Sequence, residues 1–485
     1  VYKIDDFGNR VGAYQCSADR GTDTQCKTIN SSFRQRPDDG TGHSGTRVHR
    51  YALTNYDSRG RYVSESRLPF YTASGTTHLN EQTALSTTVR DEFGNGIVQL
   101  SANGLTQTSR FGAMGRPYFT SDSTGMASTT TYRQCSAVSC PSDAKFRSQT
   151  IKVGAPTSWT YFDVLGRPIM GTTQSFDANP ASQTYAAVCS YYDAHGRASW
   201  KSEPFFPPAT VSTDGSPTFT SSTPCDSASA STATEYDVLG RVTKITNPDG
   251  GTVTKSYLGL TTFTTNPRGF TWEESKNALG EIIETRDPTV TGDANVGVIV
   301  NQTYDALGNV LTLSRDGGHG VITTTITYDA LGRKLTIIDP DAGTIQYFYN
   351  PAGEVIRQID NKNQTVTNDY DALGRRWNRN APGTDGNTLN DAWTYDTAVN
   401  GLGQLASESR QSTTGVTFSR TTSFDAYGRL QQRSTSIAGN AYTETTAYDS
   451  FGRLMSQQDA SGDTLTSNYS SRGHLESLDD SRAGR

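Results

Sequence analysis

The residues of this chain best suited to chemistry are aspartates that recur within a six-residue pattern, Tyr-Asp-x-x-Gly-Arg. Asp237, Asp329, Asp371 and Asp449 each follow a tyrosine and precede the Gly-Arg pair. Two carboxylates can hydrolyse a glycosidic bond, but one must stay protonated while the other is ionised, so they need unlike environments. A series of identical turns would give every aspartate the same environment. We therefore predict a structural role for the pattern, with no catalytic residue and no enzyme activity.

Turn chemistry explains why these residue types recur together. An Asp at the first position of a type I turn accepts backbone N–H groups, and a Gly at the fourth position supplies a positive φ. The Tyr and Arg flank the turn, where an Arg can lie over an aromatic ring, so stacked copies predict a ladder that sets strand register. The turn residues predicted from the four best-formed copies are Tyr236, Asp237, Gly240, Arg241, Tyr328, Asp329, Gly332, Arg333, Tyr370, Asp371, Gly374, Arg375, Tyr448, Asp449, Gly452 and Arg453.

The spacing of the pattern predicts the elements that position it. Tyr304, Tyr328, Tyr349 and Tyr370 are 24, 21 and 21 residues apart. β-branched runs flank the turns, and a second Pro/Gly/Asp turn closes each period, so two strands and two turns fill about 21 residues. Nothing is left for a helix. The sequence predicts an all-β strip of hairpins.

The regularity of the repeat differs between the two parts of the chain. Residues 1–234 carry irregular copies separated by insertions, and residues 235–485 carry regular copies of the same predicted sheet. The clearest insertion, 204–231, is rich in Pro, Ser and Thr. That composition predicts a surface loop.

Composition excludes several classes of protein. Only 33% of the 485 residues are hydrophobic, which is low for a conventional core, yet 10% are aromatic and the net charge is only −6, which argues against disorder. This charge also argues against a nucleic-acid partner. No apolar run is long enough to span a membrane. Since the chain lacks an initiator Met and opens within a degenerate copy of the pattern, we interpret it as a segment of a longer protein.

Six cysteines, all in the irregular part, predict disulfides and hence an exported protein. Six cysteines allow 15 pairings, so connectivity stays open, as do free thiols in a cytosolic chain and a zinc site on the Cys-x4-Cys spacing. The local pairing that we favour is Cys16–Cys26, Cys135–Cys140 and Cys189–Cys225.

Other candidate sites fail on their context. Residues 401–406 spell a dinucleotide fingerprint, but strand residues follow where a phosphate-binding helix should begin. Residues 42–45 resemble a nucleophile elbow, but Thr46 stands where that motif needs its second Gly. The six histidines are scattered, whereas a metal needs three or four convergent ligands. We predict no cofactor and no metal.

The repeated pattern resembles the YD repeat of Rhs proteins, a family that includes bacterial polymorphic toxins, the shell subunits of insecticidal toxin complexes and animal teneurins. The resemblance runs from about residue 5 to residue 475. It implies a β-hairpin strip that spirals into a hollow shell, or cocoon, which in bacterial members encloses a C-terminal toxin polypeptide. Those members usually end the shell with a self-cleaving Asp-Pro-x-Gly-Leu segment. The Asp-Pro dipeptides of this chain are Asp287-Pro288 and Asp339-Pro340, and neither is followed by the Gly-Leu of that segment.

The resemblance implies a structural function. We expect part of a secreted or cell-surface bacterial shell that encloses and helps deliver a toxic polypeptide, with that polypeptide or the remaining shell segments as partners. A cell-surface adhesin, whose exposed Tyr and Trp bind glycans or a partner cell, is the alternative. An enzyme acting on polysaccharide is disfavoured because no asymmetric carboxylate pair stands out.

Overall fold

A computed structural model gives the structure of most of the chain. For residues 2–4, 10–17, 47–53, 67–74 and 78–85 the description covers the backbone alone. The described residues are 2–4, 10–17, 47–74, 78–101, 103–135, 140–175, 185–212, 215–288, 297–317, 320–350, 353–371, 373–383, 388–413, 415–470 and 472–482.

The described residues form strands and one short 3-10 helix, Pro224–Ser227. None of them forms a helix able to cross a membrane. The strands are β1 (Tyr2–Ile4), β2 (Arg10–Ser17), β3 (Arg47–Tyr56), β4 (Val63–Ser74), β5 (His78–Arg90), β6 (Gly96–Leu100), β7 (Thr106–Phe111), β8 (Pro117–Asp122), β9 (Ala127–Gln134), β10 (Phe146–Lys152), β11 (Ser158–Phe162), β12 (Pro168–Gln174), β13 (Tyr185–Tyr192), β14 (Ala198–Ser202), β15 (Ala209–Val211), β16 (Pro217–Phe219), β17 (Ser231–Tyr236), β18 (Val242–Thr246), β19 (Thr252–Leu258), β20 (Thr261–Thr265), β21 (Thr271–Lys276), β22 (Ile282–Arg286), β23 (Ile299–Tyr304), β24 (Val310–Asp316), β25 (Val321–Tyr328), β26 (Lys334–Asp339), β27 (Gly343–Tyr349), β28 (Val355–Ile359), β29 (Thr365–Tyr370), β30 (Arg376–Pro382), β31 (Thr388–Tyr395), β32 (Leu405–Ser412), β33 (Gly415–Phe424), β34 (Leu430–Ile437), β35 (Asn440–Tyr448), β36 (Leu454–Gln458), β37 (Thr464–Tyr469) and β38 (Leu475–Asp480).

The strands build one long antiparallel sheet in which sequence neighbours pair. Thirty-six strands belong to this sheet, and β15 and β16 form a separate hairpin. β14 pairs with β17 past that hairpin. Strand composition explains the choice of sheet: β25, for example, reads Val-Ile-Thr-Thr-Thr-Ile-Thr-Tyr, and β-branched residues suit a pleated surface. The predicted all-β strip of hairpins is confirmed.

The chain divides into two compact units that do not follow the repeat spacing. The first unit contains Val1–Thr129, Gln346–Thr466 and Asp479–Arg485. The second unit contains Thr130–Ile345 and Ser467–Leu478. The distinction between irregular copies in 1–234 and regular copies in 235–485 concerns spacing, and it stays a prediction.

One cluster of buried hydrophobic residues lies in the described part of the second unit. It includes Trp159, Tyr161 and Tyr185 from the sheet, together with Phe205 and Phe219 from the insertion. The prediction of a surface loop for 204–231 was therefore wrong, because this segment packs onto β11–β13. The average composition of the insertion concealed its few aromatic and cysteine residues, which are the ones that become buried.

Candidate functional site: a ladder of turns

Each well-formed copy of the pattern folds into a turn closed by its own aspartate. In the copy after β17, Gly240 N donates to Asp237 O (3.0 Å), and Asp237 N donates to Arg241 O (2.9 Å). Asp237 Oδ1 accepts from Leu239 N (2.9 Å) and Arg241 N (2.8 Å). Its Oδ2 accepts from Arg241 Nε at 2.7 Å. The carboxylate therefore holds both sides of the turn.

The strand after each turn contains a β-bulge. Glu235 faces Lys244 across the hairpin, but Tyr236 faces Val242, so one extra residue lies on the returning strand. The same shift occurs after Tyr328, Tyr370 and Tyr448. The four predicted turn glycines, Gly240, Gly332, Gly374 and Gly452, have φ of 83°, 74°, 75° and 82°.

Five of the turn aspartates share one electrostatic environment. Desolvation raises the pKa of Asp329, but hydrogen bonds from the Arg333 backbone and guanidinium outweigh it, so this pKa lies below the ordinary aspartate value. The pKa values of Asp163, Asp193, Asp237 and Asp425 are lowered by the same balance. Each carboxylate is ionised, and its oxygens are occupied by N–H donors of its own turn. These turns offer no protonated general acid.

Successive turns are joined by contacts between arginine and tyrosine. Arg197 lies over the ring of Tyr236, 4.4 Å from its centroid, and Arg241 lies over Tyr257 at 4.1 Å. Tyr236 Oη donates to Ala198 O at 2.8 Å, and Tyr257 Oη donates to Val242 O at 2.7 Å. Each arginine therefore contacts the tyrosine of the following hairpin, whereas sequence reasoning placed the pair across a single turn. The same stacking joins Arg167 to Tyr192, Arg375 to Tyr395 and Arg429 to Tyr448.

The turn glycines also allow the preceding turn to approach closely. A Cβ built on Gly240 would lie 3.6 Å from Arg197 Nη1, and one on Gly332 would lie 3.3 Å from Asn309 Oδ1. A Cβ on Gly374 would lie 3.0 Å from Glu354 Oε1. The sixth residue of one copy thus reaches the fifth residue of the next. This contact, absent from the sequence analysis, fixes the register between neighbouring hairpins.

Two copies reverse the direction of the side-chain hydrogen bond between the second and sixth residues. Asn350 Nδ2 donates to Glu354 Oε2 at 2.6 Å, and Asn277 Nδ2 donates to Glu281 Oε2 at 2.6 Å. In these copies Asn replaces the usual Asp and Glu replaces the usual Arg. The paired replacement is visible in the sequence and could have indicated a direct contact between the second and sixth residues.

Arg375 holds two carboxylates at once. Its guanidinium lies 2.7 Å from Asp371 Oδ2 and 2.6 Å from Asp396 Oδ2. The hydrogen bond to Asp396 is the main reason that the pKa of Arg375 is raised. Arg375 also stacks on Tyr395, so it connects two successive turns through three groups.

We expect Gly332→Val to lower the free energy of unfolding by more than about 1 kcal/mol, because Val must adopt a positive φ and displace Asn309. Asp329→Ala should cost less, about 1 kcal/mol, through the loss of its capping hydrogen bonds. Urea denaturation of both variants measures the difference. An unchanged midpoint for Gly332→Val would contradict this role of the glycine.

The YD turns lie along one edge of the sheet and expose apolar residues there. This YD edge consists of the turns that follow odd-numbered strands from β17 onward. Val238, Leu239 and Leu307 at its tips are 101%, 74% and 74% exposed. The opposite, polar edge consists of the turns that follow even-numbered strands, such as 247–251, 360–364 and 459–463, which carry mainly Asn, Asp, Gly, Lys and Ser. The strip therefore has one apolar and one polar edge.

Within the first unit, the YD edge of late strands lies against earlier strands. β29 lies beside β4, and a Cβ built on Gly403 would lie 3.5 Å from Asn103 Nδ2. Gly403 belongs to a YD-edge turn, and Asn103 belongs to the turn between β6 and β7, on the opposite edge. The two residues are 300 positions apart in the chain. One edge of the strip can thus pack against the other.

In the second unit, a disulfide fastens the insertion to the sheet. The inserted residues 203–230 are here called the cap. Cys225 of the cap forms a disulfide bond with Cys189 of β13. Tyr161 packs edge-on against Phe219 with centroids 5.7 Å apart, and Tyr185 Oη donates to Gly215 O at 2.9 Å. A second bond joins Cys135 and Cys140.

These are two of the three predicted pairs. The remaining pair, Cys16 with Cys26, lies outside the residues whose side chains the structure describes.

The described residues show no arrangement suited to a metal or a nucleotide. They contain no group of three His, Cys, Asp or Glu side chains placed to hold a metal ion. Residues 401–404 form a turn between β31 and β32, with no helix after them. The arrangement described above is therefore a repeated structural joint that supports a long sheet.

Comparison with known proteins finds this architecture in solved structures. No family model matches the sequence, and no curated protein matches it. The crystal structure of TcdB2-TccC3 aligns with 90% of this chain at a TM-score of 0.62 and 14% identity. The Photorhabdus luminescens Tc holotoxin pore aligns with 96% at a TM-score of 0.52 and 11% identity.

The chain has a Tc-type shell fold. At these identities the likeness concerns the fold alone. The chain covers 26% of the matched TcdB2-TccC3 chain and 32% of the matched holotoxin chain, so it spans about a quarter to a third of their length.

Proposed function

We propose that this chain is part of the wall of a secreted bacterial shell of the Rhs/YD-repeat type, which encloses a toxic polypeptide and helps to deliver it. The observation that carries this proposal is a sheet built as a single layer. Outside the cap, the structure describes no second layer of elements over either face of the sheet. A sheet of this kind separates two spaces, as a wall requires.

The structural relatives support a toxin shell over other uses of the fold. One TcdB2-TccC3 structure is described as lacking a hypervariable C-terminal region, and another relative is a Tc holotoxin pore. That this chain helps to enclose such a region is our proposal, and it follows from the resemblance of the repeat to Rhs proteins. Secretion follows from that role and agrees with the two disulfides, which form in oxidising compartments.

The remaining shell segments are the partners that the YD edge favours. Three apolar tips of the YD edge in the second unit, Leu239, Leu279 and Leu307, are 74–80% exposed, whereas Leu331 further along is 40% exposed. In the first unit the apolar tips of the YD edge are exposed to different degrees, with Leu373 at 36%, Tyr427 at 40% and Val399 at 76%. We propose that further β-strips of the same protein cover the free stretch of the YD edge with their polar edges.

Charging the free YD edge should abolish concentration-dependent self-association of the isolated chain, because a second copy offers the same polar edge as a neighbouring strip. Sedimentation velocity at rising concentration measures the effect. The test variant combines Leu239→Asp, Leu279→Asp and Leu307→Asp.

A matched control adds the same charge at exposed strand positions and should associate like the parent chain. It combines Gln411→Glu, Gln431→Glu and Gln457→Glu. Equal association of both variants, or a parent chain that stays monomeric throughout, would count against edge-to-edge packing.

Protection from protease tests enclosure directly. In the full polypeptide that carries this chain, a segment inside the shell should resist protease until the wall is opened by combined substitution of Gly332 and Gly374 with Val. Immediate digestion of every segment outside the chain would contradict enclosure. Micromolar binding of the intact chain to glycans, with no protected segment, would instead favour the adhesin.

A further inference from the structure

We propose that the Cys189–Cys225 bond is a redox-controlled latch. In the oxidised state it holds the cap on the sheet, and the cap in turn holds the last hairpin. Reduction frees the cap and thereby loosens residues 467–478. The latch would operate whether or not the chain encloses a cargo.

The disulfide is the only covalent attachment of the cap between its two ends in the described part of the chain. The cap leaves the sheet after Ser202 and returns at Ser231, and β15 and β16 pair only with each other. Besides aromatic packing, Phe205 pairs with Ala187 and Ser142 N donates to Ser222 O at 2.8 Å. Since few backbone bonds join the cap to the sheet, the cross-link restricts most of its freedom to open.

The cap also reaches a distant part of the second unit. The guanidinium of Arg472 lies 4.8 Å from the ring centroid of Phe206. The imidazole of His474 meets the same ring edge-on, with centroids 6.0 Å apart. Arg472 and His474 lie in the turn between β37 and β38, so Phe206 connects the cap to the last YD-edge turn. The strand before this turn, β37, also pairs with β36.

Burial makes the latch respond to opening of the cap. Cys189 is fully buried and Cys225 is 8% exposed, so a thiolate reaches the bond only when the cap moves. A small-molecule thiol of the glutathione class attacks one sulfur and forms a mixed disulfide, and the other cysteine leaves as a thiolate that takes up a proton. A second thiol then displaces the first, so two thiols are oxidised to one disulfide and two cysteine thiols are formed.

Opening of the latch uncovers apolar surface. Trp159, Tyr161 and Tyr185 are between 0% and 2% exposed beneath and beside the cap. Without the cross-link, the cap is held on these rings by the packing of Phe205 and Phe219 and by the hydrogen bond from Tyr185 Oη to Gly215 O. Reduction therefore couples a chemical signal to exposure of a hydrophobic patch and to release of a distant hairpin.

Hydrogen exchange with and without a phosphine reductant tests the latch. In the parent chain, reduction should accelerate exchange at least about tenfold in both 203–230 and 467–478. The double variant Cys189→Ala/Cys225→Ala should exchange fast without reductant and show no further response. The matched control Cys135→Ala/Cys140→Ala, which removes the other bond, should keep the full response.

Phe206→Ala separates the two steps. In oxidised protein it should accelerate exchange in 467–478 while the cap stays protected. The latch is refuted if reduction leaves the cap protected, or if it opens the cap without changing 467–478. If the Cys135→Ala/Cys140→Ala control also lost its response to the reductant, the response could not be assigned to the Cys189–Cys225 bond. That result would refute the latch as well.

Discussion

Trp159→Ala is expected to lower the free energy of unfolding of the second unit by about 3–5 kcal/mol, the usual cost of deleting a large buried aromatic side chain. Trp159 is 2% exposed and meets Tyr185 edge-on, with ring centroids 5.5 Å apart. It also belongs to the main hydrophobic cluster that the structure describes. The rest of the sheet is a single layer, so it cannot replace the packing that this ring loses. Guanidinium denaturation followed by circular dichroism measures the loss.

Two controls separate burial of this ring from other effects. The indole Nε1 is buried and has no hydrogen-bond partner among the described residues, so Trp159→Phe loses no polar contact and should cost about 1–2 kcal/mol through the smaller ring. Trp272 is 39% exposed on β21, and Trp272→Ala should cost less than about 1 kcal/mol. Equal destabilisation by Trp159→Ala and Trp272→Ala would contradict the assignment of the core.

Arg375→Ala is expected to lower the free energy of unfolding of the first unit by about 2–3 kcal/mol, because Asp371 and Asp396 lose the guanidinium that both contact and Tyr395 loses its stacking partner. The side chains of Arg375, Asp371 and Asp396 are each 24% exposed, so solvent screens these pairs only in part. Urea denaturation is the measurement.

Arg241→Ala provides the matched comparison. Arg241 stacks on Tyr257 but binds a single aspartate and is 42% exposed, so its loss should cost only about 1 kcal/mol. Arg375→Lys keeps the charge but cannot serve both carboxylates with one planar fork, and it should fall between the two alanine variants. If Arg375→Ala and Arg241→Ala lowered the free energy of unfolding by the same amount, the second ion pair of Arg375 would not contribute to stability in solution.

The sequence predicted the turns because each turn is a local event. The positive φ of Gly332 and the closure of its turn by Asp329 depend on residues within one six-residue copy. The alternation of β-branched runs with turn residues likewise sufficed to predict a continuous antiparallel sheet. These features need no knowledge of what lies across the sheet.

The parts missed by sequence reasoning depend on contacts between copies or on distant segments. Arg197 lies over Tyr236, about forty positions away, because the cap is inserted between their hairpins. The cap itself was predicted as a surface loop, since Phe205 and Phe219 are sparse within a polar composition. Only the path of the strands could reveal that these rings meet Tyr161, or that Gly403 meets Asn103.

Small-angle scattering of the monomeric chain tests the central proposal, that the chain forms part of the wall of a hollow shell. A solid globule of 485 residues has a radius of gyration near 23 Å by the empirical scaling 2.2·N^0.38 Å. A single-layer sheet places its mass away from the centre, so we expect a clearly larger radius and a distance distribution of hollow-particle form. A monomer with a radius near 23 Å and a solid-sphere distribution would contradict the wall and favour packed β-sandwich domains.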